Sequence, residues 1–132
     1  MMTTAAQLVR GVDFVPFSTQ DLDSAMDFYG TKLGLPRSVY VPERQYAEFE
    51  TGNVTLSIVV GEAMGIGHNV NKTALGLHVD DVAAARAVLE GRGVQFHGDI
   101  LDTGVCHMAF FTDPDGNALM LHHRYAPRLS QS

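Results

Sequence analysis

The stretch Asp113-Pro114-Asp115-Gly116-Asn117 lies between two apolar runs, Met108-Ala109-Phe110-Phe111 and Ala118-Leu119-Met120-Leu121. Aspartate first, proline second and glycine fourth is the order a type I turn takes. Aspartate bonds back to the turn backbone, and proline presets φ at the second place. Apolar runs joined by such a turn predict a β-hairpin. With a four-residue turn, Thr112 pairs with Asn117, Met120 opposes Ala109, and His122 opposes His107.

Upstream of the hairpin, Asp80 or Asp81 caps a helix that carries Val82, Ala85 and Leu89 on one face and ends at Gly91-Arg92-Gly93. Leu75–Val79 precedes it as a strand, and Val94–Phe96, Val105–Phe111 and Ala118–His123 supply the strands that follow. The first half of the chain has the same plan. Val12–Phe17 reads as a strand, with Pro16 removing one backbone donor. Asp21 caps a helix near 21–33 whose stripe is Leu22, Ala25, Met26, Tyr29 and Leu33, and Gly34 and Pro36 stop it. Arg37–Val41, Gln45–Phe49 and Val54–Val60 then read as strands. Each half is therefore β-α-β-β-β, with Asp21 and Asp81 in equivalent places.

One such half has too few layers to bury both faces of its sheet, whereas two halves can pair. The expected class is α+β: βαβββ modules over 9–64 and 74–125, pairing into a half-open barrel with helices outside. Residues 1–8 and 126–132 are expected as tails and 65–73 as a linker. Gly65-Ile66-Gly67 in that linker lacks the strand–turn–helix setting of a dinucleotide site.

Composition narrows the function. The chain has 132 residues, 45% of them hydrophobic, and a formal net charge of −6. No cluster of Lys and Arg stands out, which argues against nucleic acid as a partner. No apolar run approaches the roughly 20 residues that span a bilayer, so no membrane partner is expected. Cys106 is the sole cysteine, which bars an intrachain disulfide and fits a reducing compartment. Met1–Gln7 lacks a basic patch followed by an apolar run, and a cytoplasmic location is expected.

The hairpin stretch, Asp21-Leu22-Asp23-Ser24-Ala25-Met26-Asp27-Phe28-Tyr29 and Leu33-Gly34-Leu35-Pro36 stand in an order and at distances that resemble the vicinal oxygen chelate superfamily. That group holds glyoxalase I, bleomycin-resistance proteins, fosfomycin-resistance enzymes and extradiol dioxygenases, and the resemblance runs from about Val9 to Tyr125. It implies the same paired module. It also implies four positions at which metal-dependent members place His, Glu or Gln ligands. Alignment on these motifs puts them at Phe14, Ser57, Ala74 and Met120. Phenyl and methyl groups cannot ligate, a serine hydroxyl is a poor ligand, and a thioether prefers soft copper(I). No metal and no cofactor are therefore expected. Asp13 replaces Phe14 only if the register slips by one, which exchanges the faces of the strand.

Side chains alternate along strands, so the same positions nominate a pocket. Its expected ligand-binding residues are Phe14, Pro16, Ser57, Gly76, His78, His107, Phe111, Met120 and His122. Apolar walls with a few convergent polar groups suit a small molecule. The expected function is that of a metal-free glyoxalase/bleomycin-resistance-like protein. It would hold a small, largely apolar or aromatic molecule in the barrel cleft, as drug or metabolite sequestration requires. The alternative is a lyase, isomerase or dioxygenase-like enzyme using His78, His107 and His122, with or without a relocated metal. The plainer reading of each histidine is an ordinary hydrogen bond or a place at the barrel mouth. Cys106 and His107 are strand neighbours and face opposite ways, so they form no thiol–imidazole couple. The face of Glu48 depends on the turn after it and is left open. Exposed sheet edges and apolar helix faces lead to the expectation of a homodimer. The sequence does not decide whether modules pair within one chain or swap between chains, nor which ligand is bound.

Overall fold

The computed structural model describes residues 6–128, so the expected tails lie partly outside the described residues, at 1–5 and 129–132. The elements are β1 (Phe14–Ser18), α1 (Leu22–Met26), β2 (Arg37–Val41), β3 (Tyr46–Glu50), β4 (Thr55–Val59), β5 (Leu75–His78), α2 (Val82–Gly91), β6 (Phe96–Asp102), β7 (Cys106–Thr112) and β8 (Ala118–Arg124). They form two four-stranded sheets, ordered β1-β4-β3-β2 and β5-β8-β7-β6. β1 runs parallel to β4 and β5 parallel to β8, and the remaining neighbours are antiparallel. The fold is α+β, and the βαβββ module occurs twice.

Both helices start where their aspartates predict. The Asp21 carboxylate accepts from the Ser24 N–H at 3.2 Å, and the Asp81 carboxylate accepts from the Ala84 N–H at 2.9 Å. After Met26 the first helix widens to π-helical turns over Asp27–Lys32, where the Leu33 N–H reaches the Phe28 carbonyl at 2.9 Å. Phe28 and Tyr29 both lie buried in this segment.

The way the modules meet follows from Tyr29. Its ring centroid is 6.0 Å from that of Phe49 on β3, while its hydroxyl donates to Asp113, just past β7, at 2.7 Å. Phe28 beside it lies 6.2 Å from Phe111 on β7. Sheets laid edge to edge would separate β3 from β7 by several strand spacings of about 4.8 Å, too far for one side chain to touch both. The sheets are instead stacked with the helices between them. Phe17, Phe49 and Ile58 of one sheet and Phe111, Leu119 and Leu121 of the other join Ala25, Tyr29, Val82 and Leu89 in one buried cluster. The opposite face of each sheet, here its open face, lies outside this cluster; on the first sheet Phe14 is exposed there, whereas Ser18, Ser57 and Val59 are buried.

The hairpin stretch is also the clamp between modules. The Asp113 carboxylate accepts from the Tyr29 hydroxyl, from the Asn117 amide at 2.8 Å, and from the Asp115 and Asn117 backbone N–H groups at 3.0 and 2.8 Å. Asn117, fully buried, donates onward to the Ser18 carbonyl at 2.9 Å and accepts from the Asn71 N–H at 2.9 Å. One turn thereby ties β1, the linker and the π-helical segment to β8. Burial, then the adjacent Asp113 charge and the hydrogen bond to it, push the Tyr29 phenol far up.

The hairpin register differs from expectation. Gly116 N–H does bond to the Asp113 carbonyl at 3.0 Å, as a four-residue turn requires, but Asp113 N–H then bonds to the Asn117 carbonyl at 3.0 Å. The ladder closes with Thr112 opposite Ala118, Phe110 opposite Met120 and Met108 opposite His122. Gly116 at φ +93° is the cause, because a left-handed residue after a type I turn adds a bulge. One added residue shifts the partners by one and exchanges the faces of β7.

Candidate functional site

The open face of the first sheet carries Phe14, Pro16 and Ser18 from β1 and Thr55, Ser57 and Val59 from β4, in register pairs. β3 adds Tyr46, Glu48 and Glu50 opposite Val59, Ser57 and Thr55. Phe14 is 54% exposed, whereas Ser57 is 1% exposed. Glu48 thus joins the open face, and its carboxylate accepts the Tyr46 hydroxyl. The sequence left Glu48 unassigned. The missing signal was the turn at 51–54, where Thr51 N–H bonds to the Val54 carbonyl at 3.2 Å and sets Glu50 opposite Thr55. The Ser38 and Thr55 hydroxyls hold the Glu50 carboxyl below the usual carboxylate range.

The open face of the second sheet carries Gly76 and His78 from β5 opposite Met120 and His122 from β8. A side chain built on Gly76 would stand 3.9 Å from both Met120 Cγ and His122 Cβ, so the missing side chain leaves room against these residues. β7 contributes Met108 and Phe110 to this face.

Two expected pocket residues lie elsewhere. Phe111 pairs with Leu119 on the helix side and is 1% exposed, a core residue. His107 pairs with His123 on that same side, and its Nε2 lies 3.4 Å from the Asp102 carboxylate. The bulge at Gly116 is the physical reason for both corrections. His78, His107 and His122 therefore do not gather on one face. Asp102 is held below the usual carboxylate range first by the Gly104 backbone N–H and then by the Tyr125 hydroxyl at 2.7 Å.

At the four positions that the resemblance nominates, the donor chemistry does not fit a divalent ion. Phe14, Ser57 and Met120 stand on open faces, and Ala74 leads into β5 with no donor to offer. Among the described residues no three His, Cys, Asp or Glu side chains cluster as a metal site requires.

A cavity also lies away from the middle of either open face, reaching Gly76 and His78 only at the edge of β5. It is a groove of about 890 Å³ between the modules, lined on the helix side by Val15, Leu56, Leu75, Leu77, Leu89 and Leu121. It runs beside β1 and β5, each an edge strand of its sheet. No helix among the described residues is long and apolar enough to cross a membrane.

Residues 11–121 match the model of the Glyoxalase/Bleomycin resistance protein/Dioxygenase superfamily. No curated protein matches the chain. Among solved structures, it is similar to TnmS3, an antibiotic binding protein from Streptomyces sp. CB03234, at 25% identity and a TM-score of 0.75, covering 90% of this chain and 99% of that one. A superfamily member from Sphaerobacter thermophilus shares 21% identity at a TM-score of 0.75, covering 88% of this chain and 98% of that one. Lactoylglutathione lyase from Agrobacterium tumefaciens shares 17% identity at a TM-score of 0.74, covering 88% and 95%. The last two show the fold alone. With its paired modules and a family match over most of its length, the chain belongs to the Glyoxalase/Bleomycin resistance protein/Dioxygenase superfamily.

Proposed function

We propose that this protein is a metal-free binder of a small, largely apolar or aromatic molecule, and that it sequesters its ligand without transforming it. The carrying observation is the second open face, where Met108, Phe110 and Met120 form an adaptable thioether and aromatic wall beside the space left by Gly76. Phe14, Pro16 and Ser57 supply the other wall. Similarity to an antibiotic binding protein over nearly the whole chain supports the same reading.

The two walls belong to different sheets and both lie outside the shared core cluster, so the reading includes a homodimer in which the first module of one copy faces the second module of its partner. The edges β1 and β5 and the apolar groove beside them would then meet a second copy. Leu8, Val9 and Val12, which are 88%, 76% and 64% exposed, lead into β1 and would be covered in the same step. A second reading keeps the ligand in the groove of a single chain, and the groove's volume favours it, since about 300–1,000 Å³ suits a small-molecule site.

A thermal-shift screen of aromatic antibiotics and metabolites, with product analysis of each hit, tests the function. Stabilising ligands recovered unchanged after long incubation are expected. A new product would replace sequestration with catalysis. Light scattering that showed a monomer at every working concentration would remove the dimer.

A further inference from the structure

We infer that the bound molecule is an aromatic carboxylic acid and that Arg124 reads its carboxylate, an inference that rests on the binding function proposed above. Arg124 ends β8 opposite Cys106, two places beyond His122 and four beyond Met120, so parity puts it on the second open face. Its side chain is partly buried. Its Nε is sealed from solvent, yet it meets no hydrogen-bond partner among the described residues. No carboxylate among those residues comes within ion-pair distance of its guanidinium. Other arginines of the chain are satisfied. Arg86 lies 3.5 Å from the Glu90 carboxylate and donates to the Gly98 carbonyl at 2.9 Å, and Arg92 donates to the Lys32 carbonyl at 2.9 Å. A guanidinium is always charged, and a buried donor is normally paired. An unpaired one at the end of a thioether and phenyl wall marks the place of an acceptor from outside the chain.

The surroundings decide the charge class of that acceptor. Among the residues that strand pairing sets on this face are His78, His97 and His122, and none is Asp or Glu. Asp80, which follows β5, is fully exposed and turned to His78 at 3.5 Å. A cation would be repelled by Arg124 and would leave its Nε unpaired. A neutral ring would stack on Met108, Phe110 and Met120 and leave the guanidinium as it is. An aromatic acid does both: its ring lies on the wall, and its carboxylate takes the Nε and one Nη of Arg124 as a two-bond fork. Four residues of strand measure about 13 Å, a span that a three-ring ligand and an arginine side chain cover together. The formal charge of −6 repels acids in general, so a preference for the acid has to come from a local contact.

Acridine and an acridine with a carboxyl group on an outer ring serve as probes. They share one ring system, and only the second is an anion at neutral pH. Fluorescence titration of the full chain should give an affinity for the acid at least about tenfold above that for acridine, the scale of one charge-assisted fork. Arg124→Met keeps much of the apolar stem. It should abolish the preference and leave acridine affinity within about twofold of wild type, while Arg124→Lys, which keeps the charge without the fork, retains part of it. Equal affinity of wild type for both rings, or a preference that survives Arg124→Met, overturns the inference and leaves the binding function standing. Failure of both rings to bind overturns both. Light scattering of Arg124→Met should match wild type. A dimer lost in the variant alone would mean that a carboxylate of the second copy takes the guanidinium, which also overturns the inference.

Discussion

The two modules share a backbone and differ on one face. Across the first sheet, Pro16, Ser57 and Glu48 form a row, and the matching row of the second sheet is Gly76, Met120 and Phe110. The next rows are Ser18, Val59 and Tyr46 against His78, His122 and Met108. One open face thus offers hydroxyls and carboxylates, and the other offers thioether, phenyl and imidazole. Their helix sides barely differ: Val15, Leu56 and Phe49 on one correspond to Leu75, Leu119 and Phe111 on the other. The side that packs on the helices specifies the fold and is repeated. The open side is free to diverge, and its divergence carries the chemistry.

Adjacent residues on β7 break this contrast most sharply. Phe111→Ala removes a core ring and should cost about 3–5 kcal/mol in urea unfolding. Phe110→Ala should cost far less and should instead weaken acridine binding several-fold. Equal destabilisation by the two variants would mean that the faces of β7 are misassigned.

The clamp at the hairpin comes next in size. Asn117→Ala leaves the Ser18 carbonyl and the Asn71 N–H without their partner and thins the bonding around Asp113. The expected loss is about 2–4 kcal/mol, read as a lower urea midpoint with unchanged slope. A normal midpoint would show that the modules hold together without this clamp.

Tyr29→Phe sharpens the same point with a smaller effect, about 1 kcal/mol near neutral pH. The Tyr29 phenol is raised by folding, so its contribution is fully present below the unfolded value of about 10 and is lost as pH rises beyond it. Wild type should therefore lose stability steeply above about pH 10, and Tyr29→Phe should lose it less steeply. Parallel alkaline curves for the two proteins would contradict the burial of this hydroxyl against Asp113.

Much of the fold was legible because caps and stripes are local. Asp21 caps the first helix as expected, Asp81 rather than Asp80 caps the second, and β2 occupies Arg37–Val41 as expected. The faces of β1, β5 and β8 followed from parity alone. What failed turned on a single residue count in a turn. Gly116 read as the fourth turn residue, which is correct, but its positive φ also made a bulge, and that moved Phe111 and His107 off the site and brought Phe110 and Met108 onto it. Glu48 was lost for the same kind of reason at residues 51–54. The stacking of the modules through Tyr29 and Asp113 was not legible, because it depends on contacts 84 residues apart that no local pattern encodes.

Mixing two disabled chains tests most directly whether unlike faces of two copies make the cleft. Phe14→Asp places a charge on the first open face and Met120→Asp on the second, and each alone should abolish acridine binding while light scattering still reports a dimer. If the cleft joins the first module of one copy to the second module of the other, a mixed dimer contains one cleft with both defects and one with neither. Unfolding and refolding the variants together in equal amounts should then restore about a quarter of the wild-type acridine capacity, since half of the random dimers are mixed. No restored binding, or single variants that bind as wild type does, would contradict the account.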